Sequence, residues 1–249
     1  MRTEPLVQIR NLEVRFPQTE FSLEVESLTI RRCERIALLG SSGSGKTTLL
    51  RAIKGLVMPT AGDVAFMGAT GPISSTQARM RSVALIYQHF NLVGRSTVYE
   101  NILAGCLGRQ PGWRILLGLF PKPEREAAVR AAEEMGLESQ LLARADRISG
   151  GQQQRVAIAR AILQRASLVL ADEPVASLDP ETGAQVLSAL QGAAAYHGQA
   201  LILSLHDPVA ARAYADRILG LRAGRIVFDL PASDVDDSQL AALYRGDAE

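Results

Sequence analysis

The sequence has few cysteines, few lysines, few aromatic residues and no long apolar run. Its two cysteines, Cys33 and Cys106, are too few for a disulfide framework or a cysteine-rich zinc centre. Both have mixed apolar neighbours in sequence, so both are expected to be buried small hydrophobes. No stretch reaches the roughly 20 apolar residues needed to span a bilayer. The opening MRTEPLVQIR has no apolar core of the kind that marks a secretory signal. A soluble, cytosolic protein is expected. Lys plus Arg is 27 against 26 for Asp plus Glu, so the basic excess usual in nucleic-acid binders is missing. Only Lys46, Lys54 and Lys122 are lysines; arginine carries the remaining positive charge. What is present is ordinary for a globular protein: 249 residues, 47% hydrophobic and 21% charged. That is one large domain or two small ones, with enough chain to bury a core without covalent staples.

Periodicity supplies the elements. Val7, Ile9, Leu12, Val14 and Phe16 alternate roughly with polar residues, and so does Phe21 to Ile30. A two-residue period of this kind predicts half-buried antiparallel strands. The runs Arg35–Gly40, Val83–Tyr87, Leu168–Ala171 and Ala200–Leu205 are short and continuously apolar, as in strands covered on both faces. Helical spacing appears at Pro123–Met135, Gln152–Leu163 and Glu181–Tyr196, the last led by Asp179-Pro180 as cap and first-turn proline. Ile218–Phe228 reads as a hairpin turning at Ala223-Gly224. Buried strands alternating with helices predict a parallel α/β core, with an antiparallel sheet packed beside it.

The chemistry concentrates in two places. Gly40-Ser41-Ser42-Gly43-Ser44-Gly45-Lys46-Thr47-Thr48 is a complete P-loop pattern between a buried strand and a helix. Its glycines let backbone N–H groups curl around phosphate oxygens at a helix N-terminus. Lys46 is expected to reach the β- and γ-phosphates, and the Thr47 hydroxyl to ligate Mg²⁺. Such a loop needs a metal-orienting carboxylate at the end of a neighbouring strand. Asp172 stands there, followed by Glu173, one residue further on and able to polarise the attacking water. His206 follows the apolar strand ending at Leu205, and Gln88 follows the one ending at Tyr87. His89 and His197 have no comparable context and read as surface or loop residues.

Ile148-Ser149-Gly150-Gly151-Gln152-Gln153-Gln154-Arg155 resembles the signature motif of the ABC-transporter ATPases, with Ile148 where that motif usually begins with Leu. Gln88 looks like the family's Q-loop glutamine, Ser177-Leu178-Asp179 like its D-loop and His206 like its switch histidine. Phe16 matches the aromatic that stacks on adenine, although an aromatic in an alternating strand also serves as core. The resemblance covers essentially the whole chain. It implies an α/β fold of the RecA-like P-loop NTPase type, with an antiparallel β subdomain and an inserted helical subdomain. Residues 1–249 would then be one ATPase domain, 1–88 and 149–249 its nucleotide-binding core and 89–148 the helical part. The resemblance implies ATP and Mg²⁺ as cofactors, with Thr47, Gln88 and Asp172 at the metal and Glu173, His206 and Gln88 in catalysis. It also implies a head-to-tail homodimer, in which Ser149, Gly150, Gly151, Gln152 and Asp179 serve the partner's nucleotide. The residues agree with this: a second Ser-Gly-Gly helix N-terminus is one more anion site than a single nucleotide requires. One departure is Cys33-Glu34 where the family usually has Gly-Glu; a positive φ there would strain Cys33.

Membrane permease subunits, and indirectly a solute-binding protein, are the implied partners, with the chain peripheral on the cytoplasmic face of the inner membrane. Within the family, Phe90–Gly94, Asn101–Gly105, Leu107–Phe120, Asp172–Thr182 and Tyr214–Gly224 are similar to the phosphonate-importer branch, whose near relatives serve phosphite and hypophosphite. Trp113–Phe120 is read as subdomain packing ahead of direct contact with the membrane subunits. The short tail after Asp229 is expected to hold no regulatory domain. Three alternatives stand beside this reading: an importer ATPase for another small solute, a small lipoprotein-type exporter ATPase, and a non-transport ABC ATPase. The DNA-maintenance kind would need a long coiled coil between Lys46 and Ser149, and the ribosome-associated kind usually carries two ATPase halves.

Overall fold

The computed structural model describes residues 4–18, 21–68, 71–73 and 75–244. Its centre is β3 (Arg35–Leu39), β7 (Leu168–Ala171) and β8 (Ala200–Leu205), which are almost wholly buried. Their side chains alternate between two cores. Ile36, Leu38, Leu168, Leu170 and Ile202 face one; Ala37, Leu39, Val169, Ala171, Leu201 and Leu203 face the other. A strand covered on both sides has no polar face to present, so its sequence is a continuous apolar run. β3 runs parallel to β8 on one side and to β9 (Arg217–Arg222) on the other, while β7 lies between β8 and β6 (Val83–Ile86).

β1 (Pro5–Arg15), β2 (Ser22–Arg31), β4 (Ala61–Gly68) and β5 (Gly71–Ile73) form the antiparallel part. Asn11, at φ 46°, shifts the phase of β1, which is why Ile9 and Leu12 both point inward. The sequence pattern predicted a separate sheet packed alongside. Instead the antiparallel strands continue the same sheet, whose order is β5-β4-β1-β2-β10-β9-β3-β8-β7-β6. The junction is narrow: β10 (Arg225–Pro231) meets β2 at the single parallel pair Arg225 and Glu24. β9 and β10 join at Ala223 (φ 44°) and Gly224 (φ 77°), a two-residue turn with both φ values positive, as the hairpin expectation requires.

α1 (Lys46–Lys54) buries Leu49, Leu50, Ala52 and Ile53 in a core shared with β1, β2 and β3, so it closes the space between the two parts of the sheet. Each fully buried Leu or Ile contributes about 1.5–3 kcal/mol. The opposite face carries α6 (Gly150–Gln164), α7 (Pro180–Tyr196) and α8 (Pro208–Tyr214). Between β6 and β7 the chain forms α3 (Val98–Leu103), α4 (Gly112–Leu116) and α5 (Lys122–Glu134); α3 and α5 pack on α6. α2 (Thr76–Ser82) precedes β6, and α9 (Asp237–Tyr244) ends the described chain. Among the described residues no helix is long and apolar enough to cross a membrane.

Two further expectations are corrected. Cys106 is buried, but Cys33 is only partly so, because it occupies the β2–β3 turn. There it adopts φ 57°, the left-handed conformation that disfavours a residue with a Cβ by about 1–2 kcal/mol. Trp113–Phe120 is not subdomain packing: Trp113, Leu116, Leu117 and Leu119 are exposed, and only Phe120 packs on the core.

Candidate nucleotide site

The loop between β3 and α1 is shaped by its glycines. A side chain on Gly40 would collide with the Leu221 carbonyl of β9 and the Ser44 hydroxyl. Gly43 and Gly45 adopt φ 78° and 108°. The loop is pinned from behind, where Gly224 N–H donates to the Ser44 carbonyl at 2.9 Å. Lys46 is 4% exposed, and its Nζ donates to the Gly40 and Ser41 carbonyls at 2.7 and 2.9 Å. Burial lowers its pKa, while the charges of Glu173 and Asp172 oppose that shift. The first turn of α1 contains no acidic residue of its own, so the helix adds its positive end to the cleft.

Asp172 and Glu173 follow β7 and diverge. Asp172 N–H donates to the Ile86 carbonyl, and its Oδ1 accepts from the Thr47 hydroxyl at 3.1 Å. Glu173 takes φ 48°, which turns its side chain across the cleft. Its Oε1 lies 2.6 Å from His206 Nε2 and 3.8 Å from Lys46 Nζ. Ser204, the penultimate residue of β8 and fully buried, ties the two acids together. Its Oγ donates to Asp172 Oδ1 at 3.1 Å and accepts from Glu173 N–H at 2.8 Å.

These groups open onto a cleft of about 720 Å³, within the range of small-molecule sites. Ser42, Gly43, Ser44, Gly45, Lys46, Thr47, Thr48, Gln88 and Glu173 line it. Phe16, 36% exposed, lies at its edge with Gln18 and Phe21, so it is not core. His206 and Asp179 line an adjoining cavity of about 280 Å³, which Glu173 shares.

The Ser149 segment does not line the cleft. Ser149 caps α6: its Oγ accepts from Gln152 N–H, and the Gln152 side chain accepts from Ser149 N–H. Ser149, Gly150 and Gln152 remain exposed or partly exposed, while Gly151 is buried against α7, where a Cβ would strike Thr182 Cγ2. Asp179 caps α7 by accepting from Thr182 N–H at 2.9 Å, and that bond holds its carboxyl below the ordinary range.

Ser204, Phe21 and Gln18 escaped sequence reasoning. Ser204 had one signal, a lone hydroxyl inside the apolar run Ala200–Leu205. Oxygen donors at Thr47 and Asp172, 3.1 Å apart, suit a hard cation such as Mg²⁺. Among the described residues no group of three or more His, Cys, Asp or Glu side chains stands ready to hold a metal by itself. Phosphate oxygens would have to complete the shell.

The sequence model described as ABC transporter matches residues 23–176. The chain is 44% identical over 243 residues to a Frankia casuarinae protein named phosphonates import ATP-binding protein PhnC, with 96% of each covered. A Staphylococcus epidermidis protein of the same name is 40% identical over 245 residues, with 96% of this chain and 94% of that one covered. A solved dimeric ATP-binding cassette in a post-hydrolysis state with ADP and Pi superposes with TM-score 0.74 at 27% identity, covering 91% of this chain and 99% of that one.

Proposed function

The chain belongs to the ABC transporter family, and from that premise we propose that it is the ATPase subunit of a phosphonate importer, working as a head-to-tail dimer beneath membrane permease subunits. The observation that carries the ATPase chemistry is the cluster of Lys46, Glu173 and His206 at the mouth of the phosphate loop. The solute is inferred from the printed names of relatives that match over nearly the full chain.

In this reading the adenine stacks on Phe16, and the phosphates take backbone N–H groups of the loop and of the first turn of α1. Lys46 exchanges its two carbonyl partners for β- and γ-phosphate oxygens. Thr47, Gln88 and Asp172 would hold Mg²⁺, which when bound neutralises charge on the β- and γ-phosphates. Glu173 accepts a proton from water as the water oxygen bonds to the γ-phosphorus and the bond to the ADP oxygen breaks. His206, already in contact with Glu173, keeps that carboxylate aligned. Ser149, Gly150, Gly151 and Gln152 form a second phosphate-facing helix start, directed at the partner's nucleotide, and Asp179 lies at the same junction. This arrangement accounts for two anion-binding N-termini on a chain with one P-loop.

The test is ATPase activity in proteoliposomes holding this chain, its permease and its solute-binding protein. Turnover should rise when a small alkylphosphonate is supplied with the binding protein. Stimulation by another solute, such as an amino acid, with none by phosphonate, phosphite or hypophosphite, would refute the assignment of substrate. Absence of ATP hydrolysis altogether would refute the assignment of chemistry.

A further inference from the structure

The exposed tip around α4 is built unlike the rest of the surface. Leu116 is 86% exposed, Leu117 64%, Trp113 57% and Leu119 53%, all within seven residues. Single exposed leucines are ordinary, but four large apolar side chains on one short projection mark a contact surface. Phe120 anchors the projection to the core beneath. The tip also satisfies its own backbone. Leu117, Gly118 and Leu119 N–H donate to the Trp113, Ile115 and Arg114 carbonyls at 3.2, 3.0 and 2.8 Å. It can therefore leave water without stranding these donors.

Charge indicates what covers it. From Asn101 to Pro123 there is no Asp or Glu, while Arg109, Arg114 and Lys122 fall within that span. Arg109 turns inward to Glu124 and to the Leu163 and Gln164 carbonyls. Arg114 lies over the Trp113 ring at 5.2 Å, and Lys122, whose side chain is 79% exposed, lies 3.7 Å from Glu126, so Arg114 is the one charge within Gly112–Phe120 itself. Tryptophan and leucine flanked by Arg and Lys is the composition of segments that lie in a membrane interface. Cytoplasmic loops of membrane proteins are themselves rich in Lys and Arg. A basic tip is therefore mismatched to such loops and matched to anionic headgroups. We propose that Gly112–Phe120 is a lipid-contact element that seats its leucines and Trp113 among the headgroups of an anionic bilayer. The proposal rests on the transporter reading only for its cellular setting, since vesicles alone suffice to test it.

Trp113 is the only tryptophan in the sequence, so its emission reports directly on the tip. Adding vesicles of equimolar phosphatidylcholine and phosphatidylglycerol to the full chain should shift that emission to the blue. Brominated lipids should quench it, and salt or pure phosphatidylcholine should weaken the effect. L116D/L117D, at two exposed positions outside the nucleotide site, should lower vesicle co-flotation at least about tenfold. Binding of a fluorescent ATP analogue, measured in the same samples, should be unchanged, and it reads out the ATPase assignment independently. No shift with anionic vesicles, or co-flotation equal to wild type in the double variant, would overturn the proposal. A shift only in proteoliposomes containing the permease would also overturn it, by assigning the tip to a protein partner.

Discussion

Replacing Ser204 with alanine removes one hydroxyl and disturbs both acids of the site. Two bonds go: the donation to Asp172 Oδ1 at 3.1 Å and the acceptance from Glu173 N–H at 2.8 Å. The second loss leaves a peptide N–H inside the protein without a partner, which costs about 1–3 kcal/mol. The first removes a charge-assisted bond of about 1.5–3 kcal/mol in general. Asp172 keeps the Thr47 hydroxyl as a second donor, so the lower end of that range applies. The expected destabilisation is roughly 2.5–4.5 kcal/mol, read as a fall in Tm of about 5–18 °C for a domain of this size. Catalysis should suffer as well. Ser204 is the bond that fixes the backbone of Glu173, which sits at φ 48° and aims its carboxylate at His206 and Lys46. A nucleophile-positioning group displaced by a fraction of an ångström lowers kcat by about tenfold or more. Ser204→Cys, close in shape but a weaker donor, should fall between alanine and wild type. Thermal unfolding and steady-state ATPase assays on the three proteins read both effects. A Tm within about 1 °C of wild type together with an unchanged kcat in Ser204→Ala would refute the reasoning.

Two further outcomes follow from the same geometry. Glu173→Gln should retain ATP binding while turnover falls to near zero, because an amide oxygen in the place of Oε1 still reaches His206 but does not take the proton of water; equilibrium binding beside single-turnover hydrolysis separates the two. Lys54, partly buried at the end of α1 and donating to the Met80 and Val83 carbonyls, has its pKa lowered to about 8 by desolvation. Between that value and the ordinary 10.5 the unfolded chain binds more protons than the folded one, so stability should rise as pH increases across this window. Lys54→Met should flatten the rise. Gln164 Nε2 continues to donate to both carbonyls, so the substitution strands neither.

Strands were legible where burial on both faces left only apolar residues, as in Arg35–Leu39 and Leu168–Ala171, and helices where a cap announced them, as at Asp179-Pro180. The joining of the antiparallel strands to the parallel ones was not. It depends on one pair, Arg225 with Glu24, and no local pattern encodes a contact two hundred residues apart in the chain. The phosphate loop and the two acids could be read because their chemistry demands particular residue types at fixed spacing. Ser204 could not, because its role arises from a tertiary contact between β8 and the end of β7. The tip around Trp113 misled for a related reason. An apolar segment looks the same in sequence whether it faces the core or the outside, and only Phe120 turns inward. Cys33 is the reverse case, where the sequence raised the right question and the φ of 57° answers it.

The claim that the nucleotide is hydrolysed between two chains meets its most direct test in a mixture of two damaged proteins. Ser149→Arg obstructs the signature helix start but leaves Lys46 intact, and Lys46→Ala does the reverse. Each homodimer then holds two broken sites. A head-to-tail heterodimer holds one doubly broken site and one intact site, formed by the phosphate loop of the first chain and the Ser149 segment of the second. ATP-driven dimerisation, followed by light scattering on verified mixtures, should exceed that of either parent, with partial recovery of hydrolysis. A mixture that dimerises no better than its parents would mean that Ser149 does no more than cap α6, as its bonds with Gln152 already allow.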